Sequence, residues 1–131
     1  MICVEIEHLE NPELKELDYD LIDIFVVSRP DFEVTRKVTP LKPFEAMGRG
    51  LPVIVSDLEA LTEIIQNKTT GLVVEPNDVK KLSKSIMELV ENPVARDELG
   101  KNASAWVRQN RLWRNVVEET RKAYEIAQGK N

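Results

Sequence analysis

"LPVIVSDLEALTEIIQNKTTGLVVEP", residues 51–76, reads as a strand, a helix and a second strand. Pro52 to Ser56 and Gly71 to Glu75 are continuous apolar runs rather than alternating ones, the pattern of strands covered by helices on both faces. With the helical span Ala60 to Asn67 between them, they suggest a parallel sheet. Upstream, Ile22 to Ser28 is a third run of the same kind and Ile2 to Ile6 a fourth. Helices expected at Pro12 to Asp18 and about Pro43 to Arg49 complete the alternation of a doubly wound α/β domain, in which ligands bind beyond the C-terminal strand ends.

Downstream the chain turns wholly helical. Asn77 or Asp78 can cap a helix that carries Val79, Leu82, Ile86 and Leu89 on one face, a face expected to lie on the sheet. Asn92-Pro93 ends it. A short helix from Val94 to Leu99, stopped by Gly100, and a last one from Trp113 to Ala127 follow, the latter with Trp113, Val116, Val117, Thr120 and Tyr124 on a stripe. Trp106 and Trp113 fall at helical positions expected to bury them, and the tail from Gly129 is expected to fray. No internal repeat, low-complexity segment or linker divides the chain.

At 131 residues with a net charge of −5, the chain has the size and composition of one soluble globular domain. The acidic balance argues against nucleic acid as a partner. Met1 to Glu5 lack the pattern of a signal peptide and no apolar run reaches the length of a membrane span, so a cytoplasmic location is expected, with at most peripheral membrane association. Cys3 is the only cysteine and His8 the only histidine, which excludes an internal disulfide and a Cys/His metal cluster.

One segment departs from this background. From Arg29 to Arg49, five basic side chains against three acidic ones leave +2, and the rest of the chain carries −7. Ser28 to Lys42 follows a strand, precedes a helix and shows no apolar period, a long connection of the kind that often binds ligands. Thr39-Pro40 looks like an N-cap followed by a proline in the first helical position. The free N–H groups of such a helix end, with Arg36, Lys37 and Lys42 beside them, suit a phosphate; the alternative on composition alone is a solvated charge run. Glu45, one turn inside, would repel phosphate but accepts well from paired sugar hydroxyls. The plainer reading, that Glu45 only complements the helix N-terminus, is worth roughly 0.3–1 kcal/mol.

The stretch from Pro43 to Pro93 resembles the C-terminal, donor-binding domain of the group 1 glycosyltransferases of GT-B architecture. Its carriers are "EAM.RG.PVIVSD", the glutamate six residues after that aspartate (Glu63), "TGLVVEPND", and "NP..R..LG" before a Trp-led last helix. The resemblance runs from about Ile22 to the C-terminus. It implies a Rossmann-like parallel sheet of about four strands with helices on both faces, in a single partial domain over residues 1–131 (core 22–91, C-terminal helices 93–128). It also implies that Glu45 binds the ribose hydroxyls of a nucleotide diphosphate sugar, that Thr39, Pro40, Leu41 and Lys42 form the phosphate-facing turn through their available N–H groups, and that Arg36 and Lys37 lie near phosphate or donor sugar. The sugar nucleotide is then a donor substrate, with no cofactor or metal, and catalytic residues stay unassigned.

The sequence also departs from the family. Lys37 stands where most members carry a second glutamate, as in a subset with a "VTPLKP" turn, and Glu59-Ala60 replaces a usual Gly-Gly. The first, acceptor-binding domain and the Gly-rich turn and basic pair that open the second are not visible. The expected function is therefore the donor half of a glycosyltransferase that moves a sugar to a hydroxyl acceptor, without turnover by the isolated chain. Its expected partners are a nucleotide sugar and either the missing domain or a partner chain. An unpaired sheet edge makes a homodimer a further expectation. The alternative is an α/β binding or interaction module that kept the fold and lost the chemistry. A receiver-like domain with Asp57 as phosphoacceptor is disfavoured, because no acidic pair follows an early strand and Asp57 fits a helix cap better.

Overall fold

A computed structural model describes residues 4–6, 19–110, 113–127 and 129. Four strands, β1 (Val4–Ile6), β2 (Ile24–Val27), β3 (Val53–Ser56) and β4 (Leu72–Val74), form one sheet in the order β1-β2-β3-β4. Every pairing is parallel, with Val4 opposite Ile24, Phe25 opposite Val53 and Ile54 opposite Leu72. The continuous apolar runs are strands buried on both faces, as expected: all four residues of β2 and of β3 are buried. The expected helix Pro12 to Asp18 and residues 2–3 of the first expected strand lie outside the described residues.

Alternation along the strands divides the core into two layers. Phe25, Val27, Val53 and Val55 face one side, where α2 (Lys42–Gly48) and α3 (Glu59–Thr62) supply Ala46, Met47 and Leu61. Ile24, Val26, Ile54 and Val74 face the other, covered by Leu89 of α4 (Val79–Glu91) and Leu99 of α5 (Pro93–Asn110). The expected helix Ala60 to Asn67 is shorter and begins one residue earlier. Its end gives way to turns in which Gln66 N–H donates to Thr70 Oγ1 (2.8 Å) and Asn67 Oδ1 accepts from Val73 N–H (3.0 Å).

The C-terminal helices bring both agreements and corrections. Asp78 caps α4 by accepting from Lys81 N–H (2.9 Å), and Asn92 precedes α5, its Oδ1 accepting from Ala95 N–H (3.0 Å). Leu82, Ile86 and Leu89 turn inward as expected, whereas Val79 is 75% exposed. Gly100 does not stop a helix, however: α5 runs straight through it to Asn110. A Cβ there would lie 1.9 Å from the carbonyl oxygen of Gly50. The glycine exists because the helix backbone rests directly on the turn that ends α2. Gly50 itself adopts φ +79°, a conformation that favours glycine. Leu99 reaches one core layer while Ala103, Trp106 and Val107 reach the other, so α5 spans both. Trp106 is half-buried, and the last helix, α6 (Trp113–Ala127), has the expected bounds, with Val117 and Tyr124 exposed. No helix among the described residues is long and apolar enough to cross a membrane.

Candidate functional site

The connection from β2 to α2 leaves the C-terminal rim of the sheet. It is not the structureless loop expected from Ser28 to Lys42, because it contains α1 (Glu33–Lys37). This helix is a single turn with no apolar period, which is why sequence periodicity misses it. Thr35, buried, sets its start: its hydroxyl donates to Pro30 O (2.6 Å) and accepts from Phe32 N–H (2.9 Å). Arg29 ties the connection to the fold. Its N–H donates to the buried Ser56 Oγ (2.8 Å) at the end of β3, and its guanidinium donates to Val38 O (3.2 Å). In sequence Arg29 counted only as one more positive charge; in structure it is a buried tie.

The helix bearing Glu45 begins later than Thr39-Pro40 implies. Leu41 holds the N-cap position without a side-chain cap, Lys42 is the first helical residue and Pro43 follows in the first turn. Leu41 O accepts from Phe44 N–H (3.0 Å) and Glu45 N–H (3.4 Å), so the Lys42 N–H is among the donors that a helix start does not satisfy internally. Thr39 is half-buried, Pro40 buried, Leu41 75% exposed and Lys42 half-buried. Thus Pro40 to Glu45 form one turn at the rim, with Lys42 and Glu45 the charged groups on it.

Arg36 and Lys37 are engaged elsewhere. Arg36 makes a two-pronged ion pair with Asp31 (2.8 Å from Nη2 to Oδ2), and Lys37 pairs with Glu33 one turn back (2.8 Å). The Arg36 hydrogen bond holds the Asp31 carboxyl below its ordinary range. The positive run is therefore largely internally compensated within α1 and its approach.

Glu45 is exposed, and its Oε2 accepts from the hydroxyl of Tyr19 (2.7 Å), a buried residue 26 positions earlier. Tyr19 lies in a short 3₁₀ turn (Tyr19–Leu21) and packs tilted against Phe25 at 6.0 Å. Arg49 sits 5.0 Å over the Tyr19 ring and 3.6 Å from the Asp20 carboxylate. Sequence reasoning missed Tyr19, since a lone tyrosine ahead of a strand carries no periodic or spacing signal. Asp57 also differs from expectation: its side chain caps nothing, and Leu58 holds the N-cap position of α3.

The rim is open. Between Ser28, Ser56 and Asn77 lies a cleft of about 40 Å³, far below the roughly 300–1,000 Å³ of ligand pockets. A larger hollow of about 380 Å³ lies beside β4 among Asp57, Asn67, Lys81, Lys84 and Glu88, away from Glu45. Its Lys81 is held by Glu75, a hydrogen bond that raises the lysine pKa. Among the described residues no group of three His, Cys, Asp or Glu side chains could hold a metal ion.

The family model described as glycosyl transferases group 1 matches residues 6–106. The chain belongs to this family. Among curated group 1 relatives, the O-antigen chain mannosyltransferase B of Escherichia coli is 32% identical over 82 residues, 63% of this chain and 21% of that protein. The chain spans about a fifth (21%) of the length of the first curated relatives it matches. Of solved structures, sucrose-phosphate synthase from Thermosynechococcus elongatus superposes with a TM-score of 0.70 at 26% identity, covering 86% of this chain and 27% of that one. The Anabaena HepE protein in complex with UDP-glucose superposes with a TM-score of 0.72 at 16% identity, over 82% and 28%, a likeness of fold alone. The Rossmann-like GT-B fold expected from the sequence is the fold of these neighbours.

Proposed function

We propose that this chain is the donor-binding part of a group 1 glycosyltransferase, holding a nucleotide diphosphate sugar whose sugar passes to a hydroxyl acceptor. The observation that carries this reading is the Glu45 carboxylate, exposed at the start of α2 with one oxygen anchored by Tyr19 and the other open to solvent-side hydroxyls. Lys42 stands at the first position of the same helix, where the helix dipole opposes a cation. A bound diphosphate would reverse that disadvantage. The Thr39, Pro40, Leu41 and Lys42 turn is the phosphate contact in this reading, and Arg36 and Lys37 join it only by exchanging their partners on Asp31 and Glu33. HepE, which contains this fold, is in complex with UDP-glucose, and a nucleotide sugar is the ligand class taken in this reading.

Residues 1–131 act in this reading as one partial domain, with core 22–91 and helices 93–128. Turnover requires a first, acceptor-binding domain or a partner chain, since the rim offers only one wall of a cleft, and we place the activity in the cytoplasm. A second reading, a non-catalytic nucleotide-binding or interaction module, is favoured by one observation: Lys37, where most members carry a glutamate, is bound to Glu33.

Calorimetric titration with uridine and guanosine diphosphates and their nucleosides tests the ligand class. Glu45→Gln is expected to weaken nucleosides and diphosphates alike by about tenfold, and Lys42→Ala to weaken diphosphates more than nucleosides by roughly 1–3 kcal/mol. Silence of the wild-type chain toward all four compounds would reject the reading.

A further inference from the structure

We infer that Tyr19 is a positioning residue for ribose recognition, a role that rests on the reading of Glu45 given above. A carboxylate on a helix surface ordinarily swings among rotamers, and an arginine four residues on is its natural ion-pair partner. Glu45 and Arg49 have that spacing, yet they are not paired. Arg49 instead lies over the Tyr19 ring and beside Asp20, and the Tyr19 hydroxyl donates to Glu45 Oε2 at 2.7 Å. Among the described residues this hydroxyl is the one side-chain partner of the carboxylate.

The same tyrosine thus does two things. Its ring, with Asp20, draws away the cation that would otherwise neutralise Glu45, and its hydroxyl fixes one carboxylate oxygen. An ionised carboxylate offers about four acceptor sites. One is taken by Tyr19, and both lone pairs of Oε1 plus the second of Oε2 stay available, enough for the two hydroxyls of a ribose. Tyr19 can hold this geometry because it is itself held: 7% exposed, packed on Phe25, in a turn closed by Ile22 N–H donating to Tyr19 O (3.2 Å). A carboxylate held in one orientation and free of a cation is selective for neutral hydroxyls. An unanchored one would re-pair with Arg49 and lose that selectivity.

The test is a double-mutant cycle on the full chain, Tyr19→Phe, Glu45→Gln and both, titrated with uridine and guanosine diphosphates and their 2′-deoxy counterparts. Tyr19→Phe keeps the buried ring and is expected to fold. It should weaken the ribonucleotide by about three- to tenfold, the scale of one net hydrogen bond, and weaken the 2′-deoxy form, which keeps one of the two hydroxyls, by a smaller factor. Adding it to Glu45→Gln should cost nothing further. Equal weakening of ribo and deoxy forms, or additive losses, would mean a merely structural role and overturn the proposal. Should Glu45→Gln weaken binding while Tyr19→Phe binds like wild type, the tyrosine proposal fails and the Glu45 reading stands. Should the wild-type chain bind no nucleotide, both fail. Independently of ligand, the Glu45 side-chain carboxyl ¹³C resonance should move in Tyr19→Phe, and an unmoved signal would also overturn the proposal.

Discussion

The chain passes from β4 to α4 in four residues, Glu75 to Asp78, but takes the fourteen residues from Ser28 to Leu41 to pass from β2 to α2. Both connections leave the same rim of the sheet. The short one closes on itself: Asn77 takes a positive φ of 64°, Asp78 N–H donates to Glu75 O (3.3 Å) and the Asp78 side chain caps the helix it opens. The long one has local bonds around Thr35, but what places it comes from far away, through Arg29 to Ser56, and the helix it leads into is met by another distant partner, Tyr19 on Glu45. The difference shows that a connection built from its own residues defines an element boundary, whereas one built from distant partners can present a charged group in a chosen orientation.

The largest expected effect concerns the distant contact that sets where α2 ends. Alanine in place of a mid-helix glycine normally stabilises by about 1 kcal/mol. Gly100→Ala is expected to do the reverse and lose about 3 kcal/mol or more in denaturant unfolding, since a Cβ 1.9 Å from Gly50 O forces backbone apart. A variant as stable as wild type would show that the junction is looser than described. Next, Ser56→Ala removes the acceptor of the buried Arg29 N–H and should cost about 1–3 kcal/mol, with faster hydrogen exchange across residues 29–38. Smallest is Asp78→Ala, which strips the cap of the short connection for about 1 kcal/mol and should leave exchange in the long connection untouched. If Asp78→Ala loosened residues 29–38 as much as Ser56→Ala does, the contrast between the two connections would dissolve.

This contrast also explains what could be read from the sequence. The strands of the sheet were legible because "IFVV" and "VIV" are apolar without interruption, and burial on both faces is the only economical use of such runs. Asp78 was legible because a cap acts within three residues. Thr39-Pro40 is an equally good local signature for a helix start, yet the helix begins at Lys42, since Arg29 fixes Val38 and sets where the chain can turn. Gly100 looked like a terminator because sequence shows a missing side chain but not the backbone that occupies its place. Glu45 was legible through the family motif that contains it. Tyr19, which gives that carboxylate its orientation, was not, because their adjacency exists only after β2 and α2 have packed.

The contact of Gly100 with Gly50 has a practical consequence for anyone shortening this chain. Neither glycine has atoms to spare that could deform, so α5 acts as a doorstop against which the far end of α2 is seated. A fragment cut after Asn92 would retain every proposed ligand group while removing the helix that packs on α2 and lies against the turn at its end. Minimal versions made for binding or crystallography should therefore extend through Asn110, although no side chain beyond Glu45 is assigned a contact with ligand.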